Sequence, residues 1–144
     1  MTTPSIPRIK TCSYAGYRRD MGTAVRITLS APRYITLPDP RYSRYSRWPF
    51  IQELAPKKEY FNAPEAVFDA TYLAQLDEFA ADIMRKIAWF GGDGIAEHGA
   101  IVLLCFEKKI AGPHDCHRRL ASGWLSQRLG VEIPEMDPGP GGCQ

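Results

Sequence analysis

The fold class this sequence predicts is a small three-layer α/β domain with a mainly parallel central sheet and a long irregular Arg/Tyr-rich insertion. Three observations predict it. Residues 101–106 (IVLLCF) are apolar on both faces, as a strand buried within a parallel sheet must be. Apolar positions recur at helical spacing both before and after that run. Strand-like and helix-like stretches alternate along the chain.

The elements follow in order. Residues 1–7 are polar and proline-containing and read as a loose arm. Residues 9–14 read as a first strand closed by Ala15-Gly16, and residues 23–29 (TAVRITL) as a second, rich in β-branched side chains. Five prolines (Pro32, Pro38, Pro40, Pro49 and Pro56) then exclude long helices and central strands from residues 31–63, apart from a short helix near 49–54. The clearest helix begins at Pro64, or near Tyr72 if a short helix precedes it. Tyr72, Leu76, Phe79, Ala80, Ile83, Met84 and Ile87 form its apolar stripe, and Gly91-Gly92 ends it. After the 101–106 strand, Gly112-Pro113 breaks the chain. Asp115 is an N-cap for a helix over 116–129, with Leu120, Ala121, Trp124, Leu125 and Leu129 on its buried face and Gly130 as its stop. Residues 131–133 suit a last short strand, and 137–144 (DPGPGGCQ) a flexible tail. The expected organisation is therefore an arm (1–7), one domain (8–136) and a tail (137–144).

Composition narrows the function classes. A chain of 144 residues with 44% hydrophobic and 24% charged side chains suits one soluble domain. No apolar run approaches the roughly 20 residues of a membrane span, so no membrane partner is expected. The first residues lack an apolar signal core, so a cytoplasmic location with reduced cysteines is expected. The net charge of +2 is unevenly spread, with eleven Lys/Arg against four Asp/Glu in residues 1–60 and the reverse imbalance beyond. That asymmetry fits an anionic partner for the first half, or pairing between the halves.

Chemistry concentrates between residues 101 and 129. A helix opening at Cys116 points free N–H groups and a positive dipole end at its surroundings, which favours an anion or a thiolate. Arg118 adds fixed charge suited to phosphate or carboxylate. The alternative is a small buried cysteine beside solvated arginines. Cys105 and Glu107, two apart on a strand, share a face. Glu107 is a general-base candidate, or else an ion-pair partner for Arg118. His117 is a second acid/base candidate. Zinc is disfavoured because no Cys-x-x-Cys pair exists. A phosphatase loop fails because the residues six after Cys105 and Cys116 are Ala111 and Ser122, not arginine. No Walker lysine loop or dinucleotide fingerprint is present, and neither metal nor cofactor is expected.

Arg33, Tyr34, Arg41, Tyr42, Arg44, Tyr45, Arg47 and Trp48 interleave cations with rings. Single-stranded nucleic acid is bound by such mixtures, arginines tracking phosphates and rings stacking on bases. The competing reading is a loop whose tyrosines anchor on the domain while its arginines face water. Tyr14, Tyr17, Arg18 and Arg19 are placed to extend the same surface.

The segment LLCFEKKIAGPHDCHRRLASGWL resembles the signature of the YeaO-like family, a domain of unknown function. There an apolar strand ends in Cys-x-Glu and, after a short loop, Cys-His-Arg opens a helix. Cys105, Glu107, Cys116, His117 and Arg118 occupy those positions, and TCSYAGY is similar to the family's opening strand and glycine turn. The family commonly has Asp-Val-Arg where this chain has Ala24-Val25-Arg26, so only Arg26 carries over. The resemblance implies a compact α/β fold with one pocket built from these five residues.

The expected function is binding of an anionic ligand, nucleotide or nucleic acid, at the Cys-x-Glu/Cys-His-Arg pocket. Arg118, Arg26, Tyr14, Arg44 and Tyr45 are the binding candidates. Cys105, Glu107, Cys116 and His117 are the catalytic candidates if the ligand is processed. Two alternatives stand beside it. One is a thiol enzyme with Cys116 as nucleophile; the other is a non-catalytic interaction module.

Overall fold

The computed structural model describes residues 8–14, 16–29, 49–92, 100–105 and 117–136. Three parallel strands form its sheet: β1 (Arg8–Ser13), β2 (Thr23–Arg26) and β3 (Ala100–Cys105), in the order β1-β3-β2. All six residues of β3 are buried, which is why this stretch is apolar throughout. Parallel bridges lengthen the sheet at both edges. Glu135 pairs with Thr11 outside β1, and Phe50 pairs with Arg26 outside β2.

The two faces are covered differently. Ile9, Val25, Ile101, Leu103 and Cys105 face the helices α1 (Glu65–Glu78), α2 (Ala80–Gly92) and α3 (His117–Leu129), and form with them the larger core. On the opposite face, Tyr14, Tyr17 and Met21 from the β1–β2 connection pack on Cys12, Ala24, Val102 and Leu104. That connection turns so tightly that Gly22, at φ 139°, lies against the start of β3. A Cβ there would stand 2.7 Å from the Ala100 carbonyl oxygen, so only glycine fits.

The helical layer departs from one expectation. The stripe from Tyr72 to Ile87 is split at Phe79, whose backbone (φ −103°, ψ 21°) ends α1 before α2 begins. The Ile83 N–H still donates to the Phe79 carbonyl at 2.9 Å, so the axis bends with little loss of backbone pairing. Tyr72, Leu76, Ile83 and Ile87 are buried as the spacing predicts. In α3, Ala121, Trp124 and Leu125 are buried, and Gly130 at φ 67° stops the helix.

Three element boundaries also differ. β2 ends at Arg26, because the chain turns at Thr28 and Leu29. The short helix near 49–54 is a 3-10 turn at Gln52–Leu54. The last strand pairing falls at Glu135 and not at 131–133, since Pro134 and Met136 supply the backbone groups that meet Thr11. Among the described residues no helix is long and apolar enough to cross a membrane.

Candidate functional site

In open parallel sheets ligands collect outside the strand carboxyl ends, where neighbouring strands send their connections to opposite faces. β1 and β3 are such neighbours here. The chain after β1 packs on one face, and α3, the next described element after β3, packs on the other. Ser13 and Cys105 lie side by side at this point.

The first turn of α3 reaches back to it. Arg118 is fully buried and donates from Nη1 to Cys105 Sγ (2.8 Å) and from Nε to Glu135 Oε1 (2.7 Å). Glu135 Oε1 also accepts from Thr11 Oγ1 at 2.9 Å, so the carboxylate ties the outer segment, β1 and α3 together. Burial by itself lowers the guanidinium's proton affinity. The contacts with Cys105 and Glu135 outweigh that, and the net shift is upward. Arg118 therefore stays charged.

His117 is buried too. Its Nε2 lies 3.0 Å from the Ile27 carbonyl, and because a carbonyl only accepts, Nε2 carries the proton. The ring stands edge-on to Tyr72 at 5.7 Å. Tyr72 donates to the Leu54 carbonyl at 2.6 Å. Burial, with Tyr60 and Cys105 nearby, pushes its hydroxyl well above the usual tyrosine range.

On the opposite side, the Tyr14 backbone N–H donates to the Cys105 carbonyl at 2.9 Å. The Tyr14 hydroxyl meets Thr28 Oγ1 at 2.6 Å, spanning from the end of β1 to the turn after β2. Arg26 sits beside them. Its Nη1 donates to the Thr28 and Leu29 carbonyls (3.1 and 2.7 Å), and its guanidinium covers the Phe50 ring at 3.8 Å. Arg26 Nε is buried with no hydrogen-bond partner, and among the described residues no carboxylate pairs with this side chain. Burial lowers its proton affinity, while Tyr14 acts in the other direction.

Cys105, His117, Arg118, Arg26 and Tyr14 are therefore gathered around the carboxyl end of β3. Among the described residues Arg118 pairs with Glu135, which sequence reasoning missed. Arg118 is not the solvated arginine of the alternative reading; Arg119, beside it, is the exposed one. Glu107, Cys116, Arg44 and Tyr45 lie outside the described residues. Cys12 and Cys105 are buried thiols, not in a disulfide, on opposite faces of the sheet. Among the described residues no three His, Cys, Asp or Glu side chains are grouped to hold a metal ion. The chain matches no protein-family model, no curated protein and no solved structure.

Proposed function

We propose that this protein binds a phosphate-bearing anion, a nucleotide or a single-stranded nucleic acid, at the carboxyl edge of its sheet. One observation carries the reading. Among the described residues, Arg26 holds a half-buried guanidinium at that edge with no carboxylate against it and a buried Nε that none of them satisfies. A cation in partial burial is costly unless an anion completes it. The first turn of α3 and the crevice between β1 and β3 favour the same ligand charge. Arg118, engaged by Cys105 and Glu135, is a positioning residue that fixes α3 against the sheet. The cationic excess of residues 1–60 would draw the ligand in. The YeaO-like resemblance agrees with a pocket at this place and names no reaction.

The test is titration of a labelled single-stranded oligonucleotide, with AMP and inorganic phosphate as competitors, at two salt concentrations. Binding should weaken as salt rises. Arg26→Gln should weaken it at least about tenfold, the value of a hydrogen bond to a charged group. Equal affinity in wild type and Arg26→Gln would overturn the proposal.

A second reading has one observation of its own. The 2.8 Å contact from Arg118 Nη1 to Cys105 Sγ is suited to a thiolate, so thiol chemistry at Cys105 is the alternative. It ranks second because Cys105 is fully buried. Alkylation rates measured against pH decide it: a Cys105 that labels no faster than an unfolded-chain thiol at neutral pH removes this reading.

A further inference from the structure

A cleft of about 260 Å³ lies between the 52–57 segment and the junction of α1 and α2, with Leu29 from the turn after β2 at its rim. Leu29, Ala55 and Phe79 supply its apolar walls, and Gln52, Glu53, Lys57 and Gln75 its polar ones. Two features of the fold create it. The bend at Phe79 opens the helical layer, and side chains from the helices hold the 52–57 segment off at a fixed distance. Gln75 Nε2 donates to the Glu53 and Ala55 carbonyls (3.0 and 2.8 Å), while Gln75 Oε1 accepts from the Tyr60 hydroxyl. The Tyr72 hydroxyl holds the Leu54 carbonyl, and Lys86 Nζ holds Glu53 Oε1 at 2.7 Å. The cleft is thus built before any ligand arrives, as small-molecule sites usually are, and its size is near the lower end of their range, roughly 300–1,000 Å³.

Charge inside the cleft is unbalanced. Glu53 is neutralised by Lys86, and both ends of the Gln75 amide are satisfied. Lys57 has no carboxylate partner among the described residues. Its ammonium lies 5.3 Å from the centre of the Phe79 ring. Leu29, another lining residue, stays half exposed although it is a large apolar side chain. An apolar body between Leu29 and Phe79, carrying one negative charge to Lys57, complements every unmatched feature.

We propose that this cleft is a binding site for a small aromatic carboxylate of one or two rings. The proposal rests on Lys57 and Phe79, and shares with the Arg26 site only the Leu29 wall, whose carbonyl Arg26 Nη1 holds. The experiment is an NMR titration of the full chain with 2-naphthoate, beside its neutral analogue 2-naphthalenemethanol. Naphthoate should shift the signals of residues 52–57 and 75–79 with a Kd of about 1 mM, a magnitude ordinary for a ligand of this size. The neutral analogue and the Lys57→Gln variant should each bind about fivefold more weakly, as for a partly exposed ion pair. Leu29→Ser should weaken naphthoate binding. Lys57 and Leu29 are exposed enough that neither variant threatens folding. No shift at these residues up to about 10 mM naphthoate, a weaker affinity than any expected here, overturns the proposal. So does equal binding of the two analogues, or undiminished naphthoate binding in Lys57→Gln.

Discussion

Replacing Glu135 by alanine removes the carboxylate that faces a fully buried guanidinium. Glu135 Oε1 accepts from both Arg118 Nε and Thr11 Oγ1, so two hydrogen bonds go with it. Breaking a buried ion pair from one side costs roughly 3–5 kcal/mol, most of it from the charge left behind. Glu135 keeps 24% exposure, so water can approach the vacated place and the cost should fall at the lower end, about 3 kcal/mol. For a domain of this size each kcal/mol lowers Tm by about 4 °C, so a fall of about 12 °C is expected. Urea denaturation followed by tryptophan fluorescence measures it, since Trp124 packs in the core formed by α3 and the sheet. The double variant Glu135→Ala/Arg118→Met is the sharper test. If the penalty is a stranded charge, removing that charge should restore at least about 1 kcal/mol relative to Glu135→Ala alone. A Glu135→Ala protein within about 0.5 kcal/mol of wild type, the ordinary range for an uninvolved surface change, refutes the reasoning. So does a double variant no more stable than the single one.

Other perturbations follow from the same geometry. Gly22→Ala forces a Cβ to 2.7 Å from the Ala100 carbonyl at a left-handed φ and should cost about 3 kcal/mol or more, measured by the same urea titration. Tyr72→Phe strands the buried Leu54 carbonyl and should cost about 1–3 kcal/mol near neutral pH. Because the folded Tyr72 value is raised, its contribution is complete below the unfolded value of about 10 and is lost as pH climbs above it. The gap between wild type and Tyr72→Phe should therefore narrow in alkali. Asp77 is held below its ordinary value by hydrogen bonds from Trp124 Nε1 (2.9 Å) and Arg128 Nη2 (2.7 Å). Its contribution is present above about pH 4 and fades as pH drops through the lowered folded value, so Asp77→Asn should differ from wild type at neutral pH and converge with it in acid.

Much of the core was readable because periodicity reports burial directly. The Tyr72–Ile87 stripe and the Ala121–Leu125 face each place successive apolar side chains on one side, and the structure buries them there. The bend at Phe79 was not readable, since neither proline nor glycine marks it and apolar spacing runs across it. At the site, adjacency along the chain indicated His117 and Arg118 at a helix start and Cys105 at a strand end. It could not indicate which partners they meet. Glu135 lies 17 residues beyond Arg118, in a segment whose pattern carries no sign of pairing with β1.

The sequence by itself determined the alternating α/β character, the central place of β3 and the apolar faces of the helices, because these depend on local spacing and on transfer of apolar groups from water. Only the tertiary structure decided that Arg118 is an interior charge bound to Cys105 and Glu135, and that Arg26 meets no carboxylate among the described residues. Both chemistries are open to any arginine in a sequence. Which one it adopts depends on carboxylates brought close by strand order and on whether water reaches the side chain, and neither is a property of the neighbouring residues along the chain.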